Sequence, residues 1–268
     1  MYSTLLIDEP APGVARITLN RADHLNAYSF RMTQELQAAL DAFRDDDSKR
    51  ALILTGAGGR AFCAGGDISG DDPEHSAKVA AQPLGHGREM REGMQAVVLR
   101  LRRLDKPSIA AIHGYAVAGG LALALACDLR IAGASARLGD TSGKIGLLPD
   151  EGGAWLFPHF MGLDRALKMT LLSEVYPAEE AARLGLVTEV VPDEDLESHA
   201  LALASALAAK APLAVRLVKM MMHKAAETSL EASMTDAQVA VMVANPSQDV
   251  REGLKAFREK RPPKFEGR

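Results

Sequence analysis

The sequence predicts an α/β fold in which short strands alternate with helices, followed by a helical C-terminal region. Apolar runs of strand length end in glycine at RALILTG, PSIAAIHG and DLRIAG. Such runs, bounded by turn residues, are typical of buried strands. Segments with helical spacing lie between strands, and from about Pro192 the chain reads as one helix after another.

The first elements show the apolar periodicity of a strand and then that of a helix. GVARITLN alternates apolar and polar residues, which predicts a strand with one buried face. The segment SFRMTQELQAALDAF follows, and it predicts a helix with Ser29 as its N-cap. Its apolar residues recur at helical spacing: Phe30, Met32, Leu36, Leu40 and Phe43.

The change to continuous helix suggests two regions. We place the boundary near residue 200, so that residues 1–199 form the α/β core and residues 200–268 form a helical region. The run Met220, Met221 and Met222 lies in a helix rich in alanine, leucine and valine. Methionines in that setting predict core or interface contacts rather than a ligand surface.

Composition limits the classes of protein. A chain of 268 residues with 47% hydrophobic and 25% charged content can bury one large core. Its formal net charge of −4, without a long basic run, predicts neither a nucleic-acid nor a membrane-surface partner. The N-terminus resembles no secretory signal, and no apolar run reaches about 18 residues, so we expect a cytoplasmic protein.

The cysteines and two histidines give no sign of a metal site. Cys63 and Cys127 lie among small apolar residues without a CxxC or Cys/His cluster, which predicts buried free thiols. His75 and His86 fall in a polar segment interrupted by glycine and proline. We expect both to be exposed to solvent rather than catalytic.

One motif suggests a dinucleotide site but lacks its context. TGAGGRA matches the G-x-G-x-x-A pattern at Gly56, Gly58 and Ala61. A pyrophosphate site also needs a helix directly behind the glycines. The segment that follows, FCAGGDISGDDPEH, is poor helix material, so we do not predict a Rossmann site.

Two other glycine turns can present backbone amides to a ligand. In AFCAGGDI, small residues leave the amides accessible. In IHGYAVAGGLALALACD, a strand leads through Gly119 and Gly120 into a helix, whose N-terminus favours negative charge. Two such amide sources converging on one carbonyl oxygen would form an oxyanion hole. The alternative, two turns that never meet, stays open at this point.

The chain resembles the crotonase family, the enoyl-CoA hydratase/isomerase superfamily, over nearly its whole length. The family's segments occur in order: NRADHLNAYS, AFCAGGDI, KPSIAAIHGYAVAGGLALALACD, ARLGD, GLLPDEGG, ARLGLVTEVV and AFREKR. The resemblance implies a spiral of ββα turns and a C-terminal helical region for trimerisation. It also implies an acyl-CoA substrate, with coenzyme A as part of the substrate and no permanently bound cofactor, in a homotrimer or a dimer of trimers.

The resemblance also implies roles for individual residues. The amides of Ala64 and Gly119 match the two donors to the thioester oxygen. The predicted contacts to the bound substrate are Leu25, Ala27, Asp67, Ile68, Gly120, Phe257 and Lys260. Among them, Phe257 and Lys260 match a C-terminal aromatic residue and a lysine that reach toward coenzyme A, and Lys260 supplies positive charge for phosphate.

The departures from the family matter for the chemistry. Typical hydratases carry two glutamates that handle the water, and here those positions are Ala122 and Ser142. Alanine cannot carry a proton, and serine is a poor base without an activator. The pair of residues that adds water is therefore absent.

Family members that shift double bonds often carry a carboxylate at the position of Asp150. Apolar residues precede Asp150 in GLLPDEGG, and we expect them to desolvate its carboxyl and raise its pKa. We predict Asp150 as the catalytic base and expect solvent or a structural partner for Glu151.

The leading interpretation is an isomerase that forms a thioester enolate and returns the proton at another carbon. A hydratase or related lyase using Asp150 or Glu151 is the alternative, and a CoA-binding protein without activity is the third. The acyl group cannot be read from the sequence.

Overall fold

The computed structural model describes residues 2–69 and 73–268, except for the side chains of residues 73–76. Its strands are β1 (Leu5–Ala11), β2 (Val14–Leu19), β3 (Ala51–Gly56), β4 (Ala61–Cys63), β5 (Ser108–Ile112), β6 (Tyr115–Val117), β7 (Leu129–Gly133), β8 (Arg137–Gly139), β9 (Val175–Pro177) and β10 (Glu189–Val191). They form one sheet in the order β1-β2-β3-β5-β7-β10 and a second in the order β4-β6-β8-β9.

Each pass of the central chain sends one strand to each sheet. Strands β3, β5 and β7 are parallel neighbours in the first sheet, and β4, β6 and β8 are parallel neighbours in the second. A chain that returns to the same two sheets in the same order, one position further along each time, forms a spiral. Helices lie between successive passes, so the predicted ββα spiral is confirmed.

The helices are α1 (Phe30–Asp45), α2 (Pro73–Ala80), α3 (Gly85–Glu92), α4 (Met94–Arg103), α5 (Gly119–Ala126), α6 (Gly153–Met161), α7 (Leu163–Leu172), α8 (Ala178–Arg183), α9 (Leu196–Ala208), α10 (Pro212–Ala225), α11 (Leu230–Ala244) and α12 (Gln248–Glu259). The predicted cap of α1 is confirmed, because the Ser29 side chain accepts a hydrogen bond from the amide of Met32. This bond satisfies one of the free N–H groups at the start of the helix.

The predicted division at residue 200 falls within α9. The inner face of that helix, including Ala200 and Ala204, packs on Ile53 and Ile131 of the first sheet. Alanine allows close helix-to-sheet packing, and it is also a strong helix former, so the sequence pattern alone does not separate α9 from the helices after it. In the structure, α9 is part of the layer that covers the sheet.

A buried polar cluster attaches α10 to the core. The Lys219 ammonium lies 2.7 Å from one carboxylate oxygen of Asp128, and a ring nitrogen of His223 lies 3.0 Å from the other. Asp128 also accepts hydrogen bonds from the amide and hydroxyl of Ser108 at the start of β5. These charge-assisted bonds fix the first helix of the C-terminal region against the spiral.

Several smaller predictions can be compared with the structure. Cys63 and Cys127 are buried free thiols, as predicted. His86 is exposed, as expected, whereas the side chain of His75 lies outside the described residues. Met220 and Met222 are exposed in the single chain, so they are not core residues. Their predicted contact at an interface between chains stays a prediction.

No individual helix among residues 2–69 and 73–268 has both the length and the apolar character needed to cross a bilayer. Two consecutive segments, Asp193–Ala208 and Pro212–Ala225, meet the criterion only when taken together, and they bend by 105° at their junction.

A buried lysine closes the C-terminal end of α1. Lys106 is only 1% exposed, and its ammonium group donates to the carbonyls of Phe43, Arg44 and Asp46 at 2.9, 3.0 and 2.8 Å. The last carbonyls of a helix have no partner within the helix. Lys106 supplies three donors to this end and also favours the negative end of the helix dipole.

We therefore expect Lys106→Met to lower the free energy of unfolding by about 2–4 kcal/mol, since buried carbonyls left without donors cost about 1–3 kcal/mol each. Urea unfolding followed by circular dichroism measures the change. Lys168→Met is the control, because Lys168 forms an exposed ion pair with Glu174, and such pairs contribute about 0–1 kcal/mol. Equal stability of the two variants would contradict the capping role of Lys106.

Candidate active site

The two glycine turns predicted to present amides lie directly against each other. A Cβ placed on Gly120 would lie 2.0 Å from the carbonyl oxygen of Cys63. A Cβ placed on Gly65 would lie 3.0 Å from the Cβ of Ala118 and 3.4 Å from the amide nitrogen of Gly119. The alternative of two turns that never meet is therefore wrong. Whether the Ala64 and Gly119 amides share one acceptor point stays a prediction.

The second turn exposes its amides through an unusual backbone conformation. Ala118, the residue before α5, has φ of 51° and ψ of −128°. An alanine at positive φ is strained, and such strain is concentrated at functional sites. Within the described chain, no acceptor is bonded to the amides of Gly119 and Gly120. As the first N–H groups of a helix, they are suited to a carbonyl oxygen that gains negative charge.

The amide of Ala64 is already engaged in the structure. It donates to the carbonyl of Leu25 at 3.1 Å, at the long end of the usual range for such bonds. Leu25 and Asn26 both have left-handed backbones, with φ of 53° and 55°. The buried Asn26 side chain holds this turn by donating to the carbonyls of Ala57 and Ala61 at 2.9 and 2.7 Å. A thioester oxygen at Ala64 must share or replace the contact with Leu25.

A buried carboxyl lies over Gly119, and it belongs to Glu151. The Glu151 side chain is 6% exposed, and its Oε1 accepts a hydrogen bond of 2.5 Å from the hydroxyl of Tyr28. A Cβ placed on Gly119 would lie 2.4 Å from this Oε1 and 2.5 Å from the Tyr28 hydroxyl. The space above the Gly119 backbone is thus filled by a carboxyl and a phenol.

The electrostatics around Glu151 favour its neutral form. Burial is the largest cause and raises the pKa of its carboxyl, and the charges of Asp150 and Asp140 raise it further. The hydrogen bond from Tyr28 acts in the opposite direction. A raised pKa brings a carboxyl closer to the range in which it can both take up and release a proton.

Asp150 differs from the sequence-based expectation. Its side chain is exposed, and so are Leu147 and Leu148, which were expected to enclose it. Neighbouring atoms nevertheless remove enough water to raise the pKa of its carboxyl. Its backbone carbonyl accepts a hydrogen bond of 2.8 Å from the side chain of Gln95. Of the two expectations for Glu151, solvent or a structural partner, the structure shows the second: Glu151 is the buried member of the pair, and its partner is Tyr28.

The two hydratase glutamate positions are both in the interior. Ala122 is fully buried in α5, and the buried Ser142 donates its amide to Asp140 at 3.0 Å. Asp140 itself is fully buried. Sequence reasoning missed both Asp140 and Tyr28. Each lies within a segment that carries the family resemblance, ARLGD and NRADHLNAYS, but neither residue type at those positions suggested a role.

The predicted substrate contacts fall into two groups. Leu25, Ala27, Asp67 and Ile68 lie on the paired segments around Tyr28 and Ala64, and Gly120 is buried against Cys63. Asp67 is held by Arg21 at 2.6 Å, and Ile68 is exposed. Phe257 and Lys260 are exposed at the end of α12. No hydrogen bond or ion pair among the described residues links either of these side chains to the site. All these contacts stay predictions.

A ββα spiral with two facing glycine turns is the crotonase fold, and comparison with a solved structure agrees. The enoyl-CoA hydratase of Bacillus anthracis superposes with a TM-score of 0.91 at 34% identity, covering 99% of this chain and 100% of that one. The model of the enoyl-CoA hydratase/isomerase family matches residues 9–268. The chain belongs to this family and is an acyl-CoA enzyme.

Similar proteins in the family carry more than one activity in their names. A Rhodobacter capsulatus protein named "Probable enoyl-CoA hydratase" is 40% identical over 260 residues, covering 97% of each chain. The 1,2-epoxyphenylacetyl-CoA isomerase of Escherichia coli is 38% identical over 256 residues, covering 96% of each. Hydration and isomerisation both occur among these names, so the choice between them depends on the residues of the site.

The contact above Gly119 gives a direct test of the site. We expect Gly119→Ala to lower turnover of acyl-CoA substrates by about 100-fold or more, because its methyl group would displace both Glu151 and Tyr28. Hydration of crotonyl-CoA and isomerisation of trans-3-hexenoyl-CoA are the assays. Gly87→Ala is the matched control, since a Cβ there meets nothing within 4 Å. Unchanged rates in Gly119→Ala would show that the site lies elsewhere.

Proposed function

We propose that the protein is an enoyl-CoA isomerase that moves a double bond with a single carboxylate, Glu151. The observation that carries the proposal is the buried Glu151 carboxyl directly over the Gly119 amide turn. Asp150 was the base predicted from the sequence, and its raised pKa keeps it as the second candidate. Burial and the contact with Gly119 favour Glu151.

The proposed reaction begins with the thioester carbonyl at the amide of Gly119, assisted by the amide of Ala64. Removing one donor from a position where negative charge develops raises the activation free energy by about 3–4 kcal/mol. They acidify the carbon next to the carbonyl, and Glu151 takes a proton from it to give an enolate. The protonated Glu151 then returns the proton to another carbon, which shifts the double bond without net gain or loss of atoms.

Hydration is the less favoured reaction. It needs groups that both orient water and donate a proton, and the positions used for this in typical hydratases are Ala122 and Ser142. A hydratase or related lyase would have to use Glu151 with Asp150 instead. A binding protein without activity is disfavoured by the site itself, because a buried carboxyl with a raised pKa is a cost to stability that binding alone does not require.

The two carboxylates can be separated by isosteric variants. We expect Glu151→Gln to lower turnover of trans-3-hexenoyl-CoA by about 10²–10⁴-fold, the usual effect of losing a positioned base. Asp150→Asn is the matched variant, and we expect it to lose less than about 10-fold, since the exposed Asp150 side chain acts on the site through its charge and its contact with Glu151. The dissociation constant for butyryl-CoA, measured by calorimetry, should change little in either.

Other outcomes have defined meanings. A large loss confined to Asp150→Asn would transfer the base role to Asp150. Full activity in both variants would refute the single-carboxylate mechanism. Mass spectrometry in heavy-oxygen water distinguishes the hydrated product from the product with a shifted double bond. If the hydrated product forms faster, the proposed function changes from isomerase to hydratase.

We also propose a homotrimer or a dimer of trimers, formed through the C-terminal helices. Apolar side chains on α10 and α11 are exposed in the single chain: Val218, Met220, Met222, Leu230, Met234, Val239, Val241, Met242 and Val243. Exposed apolar side chains concentrated on two packed helices are typical of an interface between proteins.

Light scattering should therefore give three or six chain masses at micromolar concentration. We expect Met242→Asp, at a side chain that is 78% exposed, to shift the protein toward monomers because a charge would be buried in the interface. Leu84→Asp is the control, since Leu84 is 87% exposed but lies before α3, outside the helical region. A monomeric wild-type protein would refute the assembly.

A further inference from the structure

Tyr28 contacts the Ala64 turn through its backbone, and it contacts Glu151 and Gly119 through its side chain. Its amide donates to the carbonyl of Gly65 at 2.9 Å, and its carbonyl accepts from the amide of Asp67 at 3.0 Å. Tyr28 is thus paired on both sides with the turn that carries Ala64. Its ring lies beside Gly66, where an added Cβ would be 3.5 Å from the hydroxyl. The position of the ring is therefore set by the same turn that forms the site.

The hydroxyl of Tyr28 forms a hydrogen bond with only one of the two carboxyl oxygens of Glu151. Oε1 accepts the 2.5 Å hydrogen bond from the hydroxyl. Oε2 is buried and has no hydrogen-bond partner within the described part of the chain. A buried carboxylate oxygen without a donor is costly, unless it faces a group that arrives with the substrate. Tyr28 therefore anchors one oxygen of Glu151 and leaves the other without a hydrogen-bond partner.

We propose that Tyr28 is a positioning residue, whose hydroxyl holds Oε1 of Glu151 above Gly119 so that Oε2 faces the carbon that loses its proton. This inference rests on the proposed role of Glu151 as the base. Tyr28 does not itself take the proton in this arrangement. A tyrosine 8% exposed has little freedom to rotate away, which keeps the carboxyl in one orientation.

The same bond also affects the pKa of Glu151, in the direction opposite to burial. The groups facing the carboxyl are Tyr28, Cys63, Asp140 and Asp150. Burial raises the pKa of the Cys63 thiol to about 12, so the thiol carries no charge near neutral pH. The charges of Asp140 and Asp150 add to burial in raising the pKa of Glu151, and Tyr28 is the side chain that lowers it.

Removing the Tyr28 hydroxyl should therefore change the pKa of Glu151 in one direction only. Without the bond from Tyr28, the pKa of Glu151 rises further above its value in an unfolded chain. The base is active only when ionised, so the acidic limb of the rate profile moves to higher pH. A hydrogen bond to a charged group corresponds to a shift of about one to two pH units.

The test measures the charge of Glu151 directly and through turnover. Infrared spectroscopy follows the carbonyl stretch of protonated Glu151, which is assigned by its loss in Glu151→Gln. We expect Tyr28→Phe to move the titration of this band and the acidic limb of kcat/KM for trans-3-hexenoyl-CoA upward by about one to two pH units. Fluorination makes the phenol a stronger donor, so 3-fluorotyrosine placed at position 28 should move both downward.

Tyr176→Phe is the matched control. The Tyr176 hydroxyl also donates to a glutamate, Glu174, at 2.5 Å, so the variant removes a bond of the same kind elsewhere. Its infrared band and rate profile should match those of the wild type. Thermal unfolding of each variant checks that the fold is kept, and the fluorinated protein retains the full ring and hydroxyl if Tyr28→Phe does not fold.

The outcomes separate this inference from the proposed function. If Glu151→Gln is inactive but neither change at Tyr28 moves the band or the profile, the role of Tyr28 is wrong and the base stands. If Glu151→Gln keeps full activity, the base assignment fails, and the positioning role fails with it. Opposite shifts for phenylalanine and 3-fluorotyrosine, with an unchanged Tyr176→Phe, support the inference.

Discussion

The structure depends on the close approach of two backbones, at residues 63–66 and 117–120. A side chain at Gly120 would collide with the carbonyl of Cys63, so this contact requires glycine at that position. The contact joins the second sheet, through β4, to the start of α5. It brings Gly65 beside Gly119 and, through the pairing of Tyr28 with Gly65, brings the N-terminal turn to the same place. The Gly119 turn, the phenol and the carboxyl are neighbours because the glycine turns touch.

Much of the architecture can be predicted from the sequence because the buried strands are locally distinct. RALILTG, PSIAAIHG and DLRIAG correspond to β3, β5 and β7, each an apolar run followed by a turn. Their order in the sheet is also the expected one for a spiral. The domain boundary was less predictable. Residues of α9 such as Ala204 suit a packed layer and a free helix equally well, and only the contact with Ile53 distinguishes the two.

The carboxylates next to Gly119 could be located from the sequence, but not which of the two is buried. The segment GLLPDEGG was identified, but which of its adjacent carboxylates faces inward depends on the turn around it. Gly152 has φ of 120°, and the partner of Glu151 lies 123 residues earlier in the chain. Neither feature has a local signal. The same long-range contact explains why Tyr28 was missed, since a tyrosine in NAYS gives no indication of what its hydroxyl will meet.

The spiral also fixes the order in which the parts of the site become available. Tyr28 and the Ala64 turn belong to the first passes of the chain, Gly119 follows the second strand of the next pass, and Glu151 arrives only after β8. Parallel neighbours cannot pair until the intervening crossover has been made. During synthesis from the N-terminus, the amide turns can therefore dock before the acid exists. A nascent chain of this protein therefore completes both glycine turns one pass before it completes the carboxyl that lies over them.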